Sequence, residues 1–188
     1  DVQEVDWLGT SMGGLIGLFL AAQPRTPIRR LILNDVGTLL SAAALARIAS
    51  YVTCRPVFAD IESAEAHFRQ VHAPFGALTD AQWRRLAETS VRGVPGGFEF
   101  HYDPKIGQRF AQAPPGDVDL WPFWQAVSCP VLAIRGADSD LLDAATWQAM
   151  AASKPGQCTP LEIPGCGHAP ALMDEAQIGA IRRWLAGT

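Results

Sequence analysis

The sequence has few charged residues and no strong excess of either sign. Only 18% of its 188 residues are Asp, Glu, Lys or Arg, below the roughly 25% that is usual in soluble domains. Because 48% of the residues are hydrophobic, the composition excludes a disordered chain. The formal net charge is −4, so we expect no broad electropositive surface for nucleic acid or anionic lipid.

Long hydrophobic runs and paired cysteine motifs are also absent. The longest apolar stretch, residues 13–22, is about half of the ~20 residues that a membrane-spanning helix needs, and acidic residues near the start do not form the basic end of a signal peptide. Cys54, Cys129, Cys158 and Cys166 lack the spacing of a zinc site. We therefore expect a cytoplasmic protein, with the bacterial periplasm as the alternative, that has reduced thiols and needs no membrane, metal or cofactor.

Strand-like and helix-like segments alternate at both ends of the sequence. Strands are predicted at residues 5–9, 28–35, 130–136 and 158–163, and helices at residues 12–23, 144–153 and 175–186. This alternation predicts an α/β fold in which helices flank a mostly parallel sheet. The helix at residues 12–23 is apolar on every side, as in a fully buried helix.

The middle of the sequence has a different character. Four helices are predicted there, at residues 42–52, 63–72, 79–90 and 104–112, separated by glycines and prolines. We interpret residues 38–128 as a helical cap inserted between two strands of a core formed by residues 1–37 and 129–188. Such a cap would cover the carboxyl edge of the sheet, where ligands bind in open α/β folds.

Aromatic residues are concentrated in this cap and directly after it. They can line an acyl or aryl pocket, or they can dock the cap on the sheet, which is the expected role for most of them. The residues are Phe58, Phe68, Phe75, Trp83, Phe98, Phe100, Phe110, Trp121, Phe123 and Trp124.

One motif with chemical meaning lies at the first strand-to-helix junction. Gly9-Thr10-Ser11-Met12-Gly13 has the pattern G-x-S-x-G. In this tight turn a side chain at either glycine would clash with backbone, and the serine hydroxyl is lifted clear of the sheet. Ser11 is therefore the candidate nucleophile, and the N–H of Met12 is the candidate oxyanion donor. The alternative is a strand–glycine–helix turn without chemistry.

A nucleophilic serine needs a base, and four histidines are available. His168 follows the last predicted strand in a glycine-rich loop, which is where a catalytic base belongs in a parallel sheet. The alternative is a surface histidine. His67 and His72 fall in a predicted cap helix, where a solvated or packing role is the default, and His101 lies in an extended segment.

Three aspartates could orient His168. Asp140 is favoured because the two leucines after it would bury its surroundings. Asp138 in the same loop is the second candidate, although it could be a simple turn residue. Asp35, after the second strand, is the third candidate, because some serine hydrolases take their acid from that loop. Ser11 comes first in the chain, Asp140 second and His168 third, and this order of nucleophile, acid and base is typical of one particular fold.

Residues 5–14, 135–142 and 164–168 together resemble the elbow, acid loop and histidine loop of α/β-hydrolase-fold enzymes with a helical cap, of the lid-bearing esterase and hydrolase type. The resemblance covers the whole chain, strongly in the sheet segments and weakly in the cap. It implies a serine hydrolase that acts on a small carboxylic ester without a cofactor. Ser11 would be the nucleophile, His168 the general base and Asp140 the orienting acid.

The sequence departs from this family in one large respect. The family has several strands before the nucleophile strand, and one of their loops donates the second oxyanion N–H. We therefore expect an N-terminal segment of the same protein to complete the sheet and to supply that donor. Without it, the strand at residues 5–8 would be a bare hydrophobic edge prone to aggregation.

Other functions compete with ester hydrolysis at this point. The same three residues could cleave a carbon–carbon or thioester bond, or the chain could be a non-catalytic hydrolase-like fragment. Gly9, Ser11 and Gly14 with Asp35 superficially resemble a dinucleotide fingerprint, but serine stands where that motif needs glycine. Cys166 would be a nucleophile only if Ser11 were not, since nothing near it in the sequence lowers a thiol pKa.

Overall fold

The computed structural model describes residues 3–103, 105–107 and 116–187. The elements, in chain order, are β1 (Val5–Thr10), α1 (Met12–Ala21), β2 (Ile28–Asn34), β3 (Leu39–Leu40), α2 (Ala42–Val52), α3 (Ile61–Val71), a 3-10 turn (Ala73–Phe75), α4 (Asp80–Ser90), β4 (Val91–Val94), β5 (Gly97–Phe100), β6 (Val118–Asp119), α5 (Trp121–Ala126), β7 (Val131–Gly136), α6 (Ala144–Ser153), β8 (Cys158–Ile163) and α7 (Glu175–Ala186). The predicted helix at residues 104–112 falls largely outside the described residues.

A four-stranded parallel sheet forms the centre of the molecule, in the order β1-β2-β7-β8. The inner strand β7 is buried along its whole length and β2 is buried from Leu31 onward, as expected for parallel strands covered on both faces. The expected α/β fold with a parallel sheet is confirmed. All four predicted strands are present, with ends within one residue of the expected positions.

Side chains of the inner strands alternate between two apolar layers. Leu31 and Leu33 of β2 pack in a layer with residues of α1, α5 and α6, including Leu18, Trp124 and Met150. Ile32, from the same strand, faces the opposite layer, which contains Ile181 of α7 and residues of β7 and β8. Because successive side chains of a strand point to opposite faces of the sheet, one short strand contributes side chains to both apolar layers.

Helix α1 is not fully buried, so this prediction was wrong. Its small residues and Leu18 face the sheet, but Ile16 and Leu20 are 45% and 40% exposed. The physical reason is that α1 packs on β1 and β2 at the edge of the sheet. Beyond β1, no described strand continues the sheet, and Leu8 of this edge strand is 46% exposed.

The elements between β2 and β7 have a core of their own. The insertion begins and ends at the short antiparallel pair β3–β6, and α3, α4 and the β4–β5 hairpin enclose a separate apolar cluster. Most cap aromatics therefore pack against one another and do not dock on the sheet. Phe58, Phe68, Trp83 and Phe100 lie in this cluster, whereas Trp124 packs in the sheet layer and Phe110 lies outside the described residues.

Two of the predicted helix starts depend on capping side chains. Thr79 and Gln82 form the expected reciprocal capping box at α4. Asp174 caps α7 by accepting from the N–H groups of Ala176 and Gln177, but the amide oxygen of Gln177 has no hydrogen-bond partner among the described residues. Only the Asp174 half of the predicted box is therefore formed.

Candidate active site

The loops after the four parallel strands bring four polar side chains together at the carboxyl edge of the sheet. Ser11 follows β1, Asp35 follows β2, Ser139 lies in the loop after β7, and His168 lies in the loop after β8. Because the strands are parallel, these loops meet at one edge, where α/β folds bind ligands.

Ser11 occupies a strained backbone conformation between β1 and α1. Its φ is 50° and its ψ is −116°, a region that residues other than glycine rarely adopt and that is concentrated at functional sites. Its N–H donates to the carbonyl oxygen of Asn34 at 3.0 Å, which ties the turn to the end of β2. The turn therefore holds the hydroxyl above the sheet edge.

The glycines of this turn have different roles from those predicted. A Cβ at Gly9 would lie 2.2 Å from the carbonyl carbon and oxygen of Gly13, so only glycine fits there. A Cβ at Gly13 would meet nothing within 4 Å among the described residues, so the predicted clash at this second position was wrong. The close approach is instead at Gly14, where a Cβ would lie 2.5 Å from Val36 and 2.9 Å from the oxygen of Gly9.

The N–H of Met12 lies at the beginning of α1. The first bond of this helix is donated by Leu15 to the carbonyl oxygen of Ser11 at 3.0 Å. The N–H of Met12 precedes it and is one of the orphan donors of a helix start. Met12 also lines the cavity that contains Ser11. An oxyanion formed beside Ser11 would meet the positive end of the helix dipole here.

His168 connects Ser11 to a buried carboxylate. Its Nε2 accepts from the Oγ of Ser11 at 2.9 Å, and its Nδ1 lies 2.8 Å from the Oδ2 of Asp35. The side chain of Asp35 is fully buried and that of His168 is 6% exposed. Because a carboxylate can only accept, the proton of neutral His168 is on Nδ1 and the lone pair of Nε2 faces Ser11.

Asp140, the favoured acid, lies elsewhere, and this prediction is corrected by the structure. Its carboxylate is 49% exposed and accepts two hydrogen bonds from Arg47 of α2, at 2.5 and 2.7 Å. Asp138 is exposed as well. Among the polar side chains of residues 137–143 only that of Ser139 is buried, so this loop places no carboxylate beside His168. Asp35, the third candidate, takes the place beside His168.

Ser139 was not recognised from the sequence, although it contacts Asp35 directly. Its Oγ accepts from the N–H groups of Leu141 and Leu142 at 3.2 and 3.1 Å. These two bonds occupy its lone pairs, so its single proton is donated to the Oδ2 of Asp35 at 2.6 Å. The N–H of Gly136 donates to the other carboxylate oxygen at 2.7 Å.

Asn34 is a second residue that the sequence did not single out. It is fully buried, and its amide nitrogen donates to Thr10 Oγ1 at 3.0 Å and to the carbonyl oxygen of Pro170 at 2.8 Å. It thereby joins the nucleophile strand to the histidine loop. In the sequence it is a polar residue at the end of a buried strand, a weak signal on its own.

A cavity of about 340 Å³ lies over Ser11 and His168. Its volume falls within the usual range of small-molecule sites, about 300–1,000 Å³. The cap supplies most of its wall through Ile48, Tyr51 and Phe75. Ser11 thus faces a partly open and mainly apolar space.

The pKa values of His72, which lines this cavity, and of Cys166, which lies two residues from His168, are shifted. Burial, with a smaller effect from His67, lowers the pKa of His72 to about 4, so its imidazole is neutral at physiological pH. Burial raises the pKa of the Cys166 thiol, and the charges of Asp138 and Asp35 act in the same direction. A thiolate is therefore disfavoured at Cys166, in contrast to a reactive cysteine.

Within the described ranges, no three His, Cys, Asp or Glu side chains are grouped so that they could hold a metal ion. In the same part of the chain, no helix is long and apolar enough to span a membrane.

The alpha/beta hydrolase family model matches residues 1–180. The chain belongs to the alpha/beta hydrolase family. A 3-hydroxybutyrate-oligomer hydrolase of Cupriavidus necator is 40% identical to it, over 100% of this chain and 67% of the relative. An alpha/beta hydrolase structure from Novosphingobium aromaticivorans is 35% identical with a TM-score of 0.86, and a Rickettsia typhi protein is 35% identical with a TM-score of 0.90. This chain spans 66% and 63% of those two chains, respectively.

The contacts of Asp35 in this alpha/beta hydrolase also exclude the dinucleotide interpretation. That interpretation requires an accessible carboxylate to bind a ribose hydroxyl. Asp35 is fully buried, and its oxygens already accept from Gly136, Ser139 and His168. The alternative of a dinucleotide-binding oxidoreductase was therefore wrong.

Replacement of Ser139 by Ala should lower kcat of this hydrolase by about tenfold, because a hydrogen bond to a charged group contributes about 1.5–3 kcal/mol. The variant carboxylate has one donor fewer and holds the imidazolium more tightly, so the acidic limb of the kcat/KM profile should move to higher pH. The measurement is the pH profile with a p-nitrophenyl ester.

Ser153→Ala is a matched control, since the hydroxyl of Ser153 bonds Trp124 and Met150 and none of the site residues. Ser139→Thr keeps a hydroxyl and should recover part of the lost rate. An unchanged kcat and pH profile in Ser139→Ala would show that the serine only fills space.

Proposed function

We propose that this hydrolase cleaves carboxylic esters through an acyl-enzyme, with Ser11 as nucleophile, His168 as general base and Asp35 as orienting acid. The observation that carries the proposal is the pair of hydrogen bonds from Ser11 Oγ to His168 Nε2, 2.9 Å, and from His168 Nδ1 to Asp35 Oδ2, 2.8 Å. Both the nucleophile and the base line the same cavity.

Acylation begins when the Oγ of Ser11 attacks the ester carbonyl carbon and its proton passes to Nε2 of His168. The carbonyl oxygen becomes an oxyanion, which the N–H of Met12 stabilises. When the tetrahedral intermediate collapses, the bond to the alcohol oxygen breaks and the alcohol leaves with the proton of His168. Asp35 balances the imidazolium charge throughout and keeps its own proton state unchanged.

Deacylation repeats these steps with water in the place of Ser11. His168 removes a proton from water as the hydroxide oxygen bonds to the acyl carbon. Collapse of the second intermediate breaks the bond to Oγ of Ser11, which recovers its proton from His168. The products are one carboxylic acid and one alcohol, and the enzyme returns to its starting state.

The substrate class that we propose is a short oligoester of a hydroxy acid. The relative that is 40% identical is named for the hydrolysis of 3-hydroxybutyrate oligomers, which supports this choice. The described residues around the Ser11 cavity include no Asp, Glu, Lys or Arg, which fits an uncharged acyl chain. Cleavage of a thioester or a carbon–carbon bond by the same residues would appear as a higher rate on those bonds than on the matching oxygen ester.

We propose also that an N-terminal segment of the same protein covers β1 and donates the second oxyanion N–H. Two observations support it. The apolar side chains of Leu8, Ile16 and Leu20 are exposed at this edge, and the chain spans 67% of the oligomer hydrolase. An enzyme that lacks one of two oxyanion donors loses about 10²–10³ in kcat, so the segment would matter for rate as well as for solubility.

Labelling with a fluorophosphonate tests the proposed nucleophile. We expect one label per chain, attached to Ser11, because its hydroxyl lies 2.9 Å from Nε2 of His168, which can take its proton. The measurement is intact mass followed by peptide mapping. Ser11→Ala should remain unlabelled, whereas Cys166→Ala should label normally. A label on another residue, or none in a folded protein, would contradict the proposal.

A further inference from the structure

A second cavity of about 280 Å³ lies within the cap, next to the cavity that contains Ser11. The two cavities meet at side chains that line both of them. These shared residues are Tyr51, Val52, His72, Phe75 and Tyr102. Leu86 and Ser90 line only the second cavity. A chain that is bound at Ser11 therefore has a neighbouring space of similar size beyond this boundary.

The second cavity offers hydrogen bonds but no charge. None of the described residues that line it is Asp, Glu, Lys or Arg, and its polar side chains are Tyr51, His67, His72, Ser90 and Tyr102. Burying an ionised group without a partner is strongly unfavourable. The occupant that fits this space is therefore uncharged and carries hydroxyl or ester oxygens.

His72 lies at the boundary between the two cavities. Aromatic neighbours hold its ring in place, and its ring nitrogens are available to bind a ligand. The imidazole stacks on Phe75 with ring centres 4.6 Å apart and lies 5.3 Å from the ring of Phe68. Neither ring nitrogen makes a hydrogen bond to another part of the chain that the structure describes. A neutral imidazole offers one donor, which suits an ester carbonyl, and one acceptor, which suits a hydroxyl.

The two ends of a linear hydroxy-acid oligoester differ in charge, and this difference determines which end enters the second cavity. At every ester bond the acyl side leads to the terminal hydroxyl, and the alcohol side leads to the terminal carboxylate. Because neither cavity has a described charged group apart from the reacting His168 when protonated, the hydroxyl end is the one that fits inside. The carboxylate end then leaves with the alcohol product.

We propose that the second cavity binds the hydroxyl-terminal units of a linear oligoester, and that His72 recognises the chain where it passes from one cavity to the other. The proposal rests on the proposed function. It adds the direction in which the oligoester binds and names the residue that distinguishes long acyl chains from short ones. Short acyl groups need only the first cavity.

Blocked substrates test the direction. The probes are the linear trimer of 3-hydroxybutyrate, its methyl ester at the carboxyl end, and its methyl ether at the hydroxyl end. We expect the methyl ester to keep kcat/KM within about threefold and the methyl ether to lose about tenfold, the equivalent of one hydrogen bond. A larger loss for the methyl ester than for the methyl ether would overturn the proposed direction.

Two variants test the second cavity. Leu86→Trp adds bulk to its wall, and His72→Phe keeps the stacked ring but removes both nitrogens. Each should lower kcat/KM for the trimer by about tenfold. Leu86→Trp should leave hydrolysis of p-nitrophenyl acetate unchanged, because Leu86 lines only the second cavity. His72 also borders the first cavity, so His72→Phe should lower the rate on p-nitrophenyl acetate much less than the rate on the trimer. Val57→Trp, at an exposed cap residue that lines neither cavity, is the control for added bulk.

Thermal unfolding of each variant establishes that the cap is folded, and His72→Phe decides the test if Leu86→Trp does not fold. Equal effects of His72→Phe on both substrates, or none on either, would overturn the proposal. Failure of the unmodified enzyme to hydrolyse p-nitrophenyl acetate would instead contradict the proposed ester hydrolysis itself, so the two failures are distinguishable.

Discussion

Replacement of Asp35 by Asn should lower kcat by about 10⁴-fold, because an amide in this position cannot balance the imidazolium and favours the wrong tautomer of His168. Asp35 is buried and lies 2.8 Å from Nδ1 of His168. Its amide variant also loses the charge that Gly136 and Ser139 donate to. KM should change much less than kcat, since Asp35 does not line the substrate cavity.

The matched variant is Asp140→Asn, which removes the same charge from the acid that the sequence favoured. Asp140 is exposed and pairs with Arg47, and exposed ion pairs contribute about 0–1 kcal/mol. We expect its kcat to stay within about threefold of the unmodified enzyme. Steady-state kinetics on one p-nitrophenyl ester compares the two. If Asp140→Asn were the slower enzyme, Asp35 would lose its assigned role.

The turn at Ser11 and the loop at His168 were predictable because each is defined by residues that are adjacent in the sequence. Gly9 and Ser11 belong to one turn, and His168 follows a strand directly in a glycine-rich loop. The acid carries no such local signature. The carboxylate beside His168 comes from the loop after β2, because the buried polar side chain of the loop after β7 is Ser139. Sequence spacing could not decide between adjacent residues of one turn.

The same distinction separates the parts of the fold. The inner strands were predictable because each contains an uninterrupted apolar run, residues 31–33 in β2 and 131–134 in β7, which is typical of strands covered on both faces. The exposure of α1 was not predictable from its own sequence. It depends on whether another part of the protein packs beyond β1, and the residues of α1 carry no information about that. His72 shows the same limit in the cap. Its position between two cavities results from the 3-10 turn after α3 and from contacts with Phe75 and Tyr51.

Alanine at Gly9 should lower the free energy of unfolding strongly and alanine at Gly13 should not lower it, although both glycines belong to the same motif. A Cβ at Gly9 would lie 2.2 Å from the backbone of Gly13. Backbone cannot move aside as a side-chain tip can, so the cost should be at or above the upper end of the ~1–3 kcal/mol of an overpacked core. The displaced turn would also carry Ser11 away from His168 and slow fluorophosphonate labelling.

Gly13→Ala adds the same methyl group where no described residue outside the adjoining turn of its own helix lies within 4 Å, and it replaces a glycine in the first turn of α1. Alanine loses less backbone entropy than glycine in a helix, by roughly 0.5–1 kcal/mol. We therefore expect its free energy of unfolding to be unchanged or slightly higher. Urea denaturation of both variants gives the comparison. Equal destabilisation would mean that the second glycine of the motif is required for packing after all, and that the tight contact is not confined to Gly9 and Gly14.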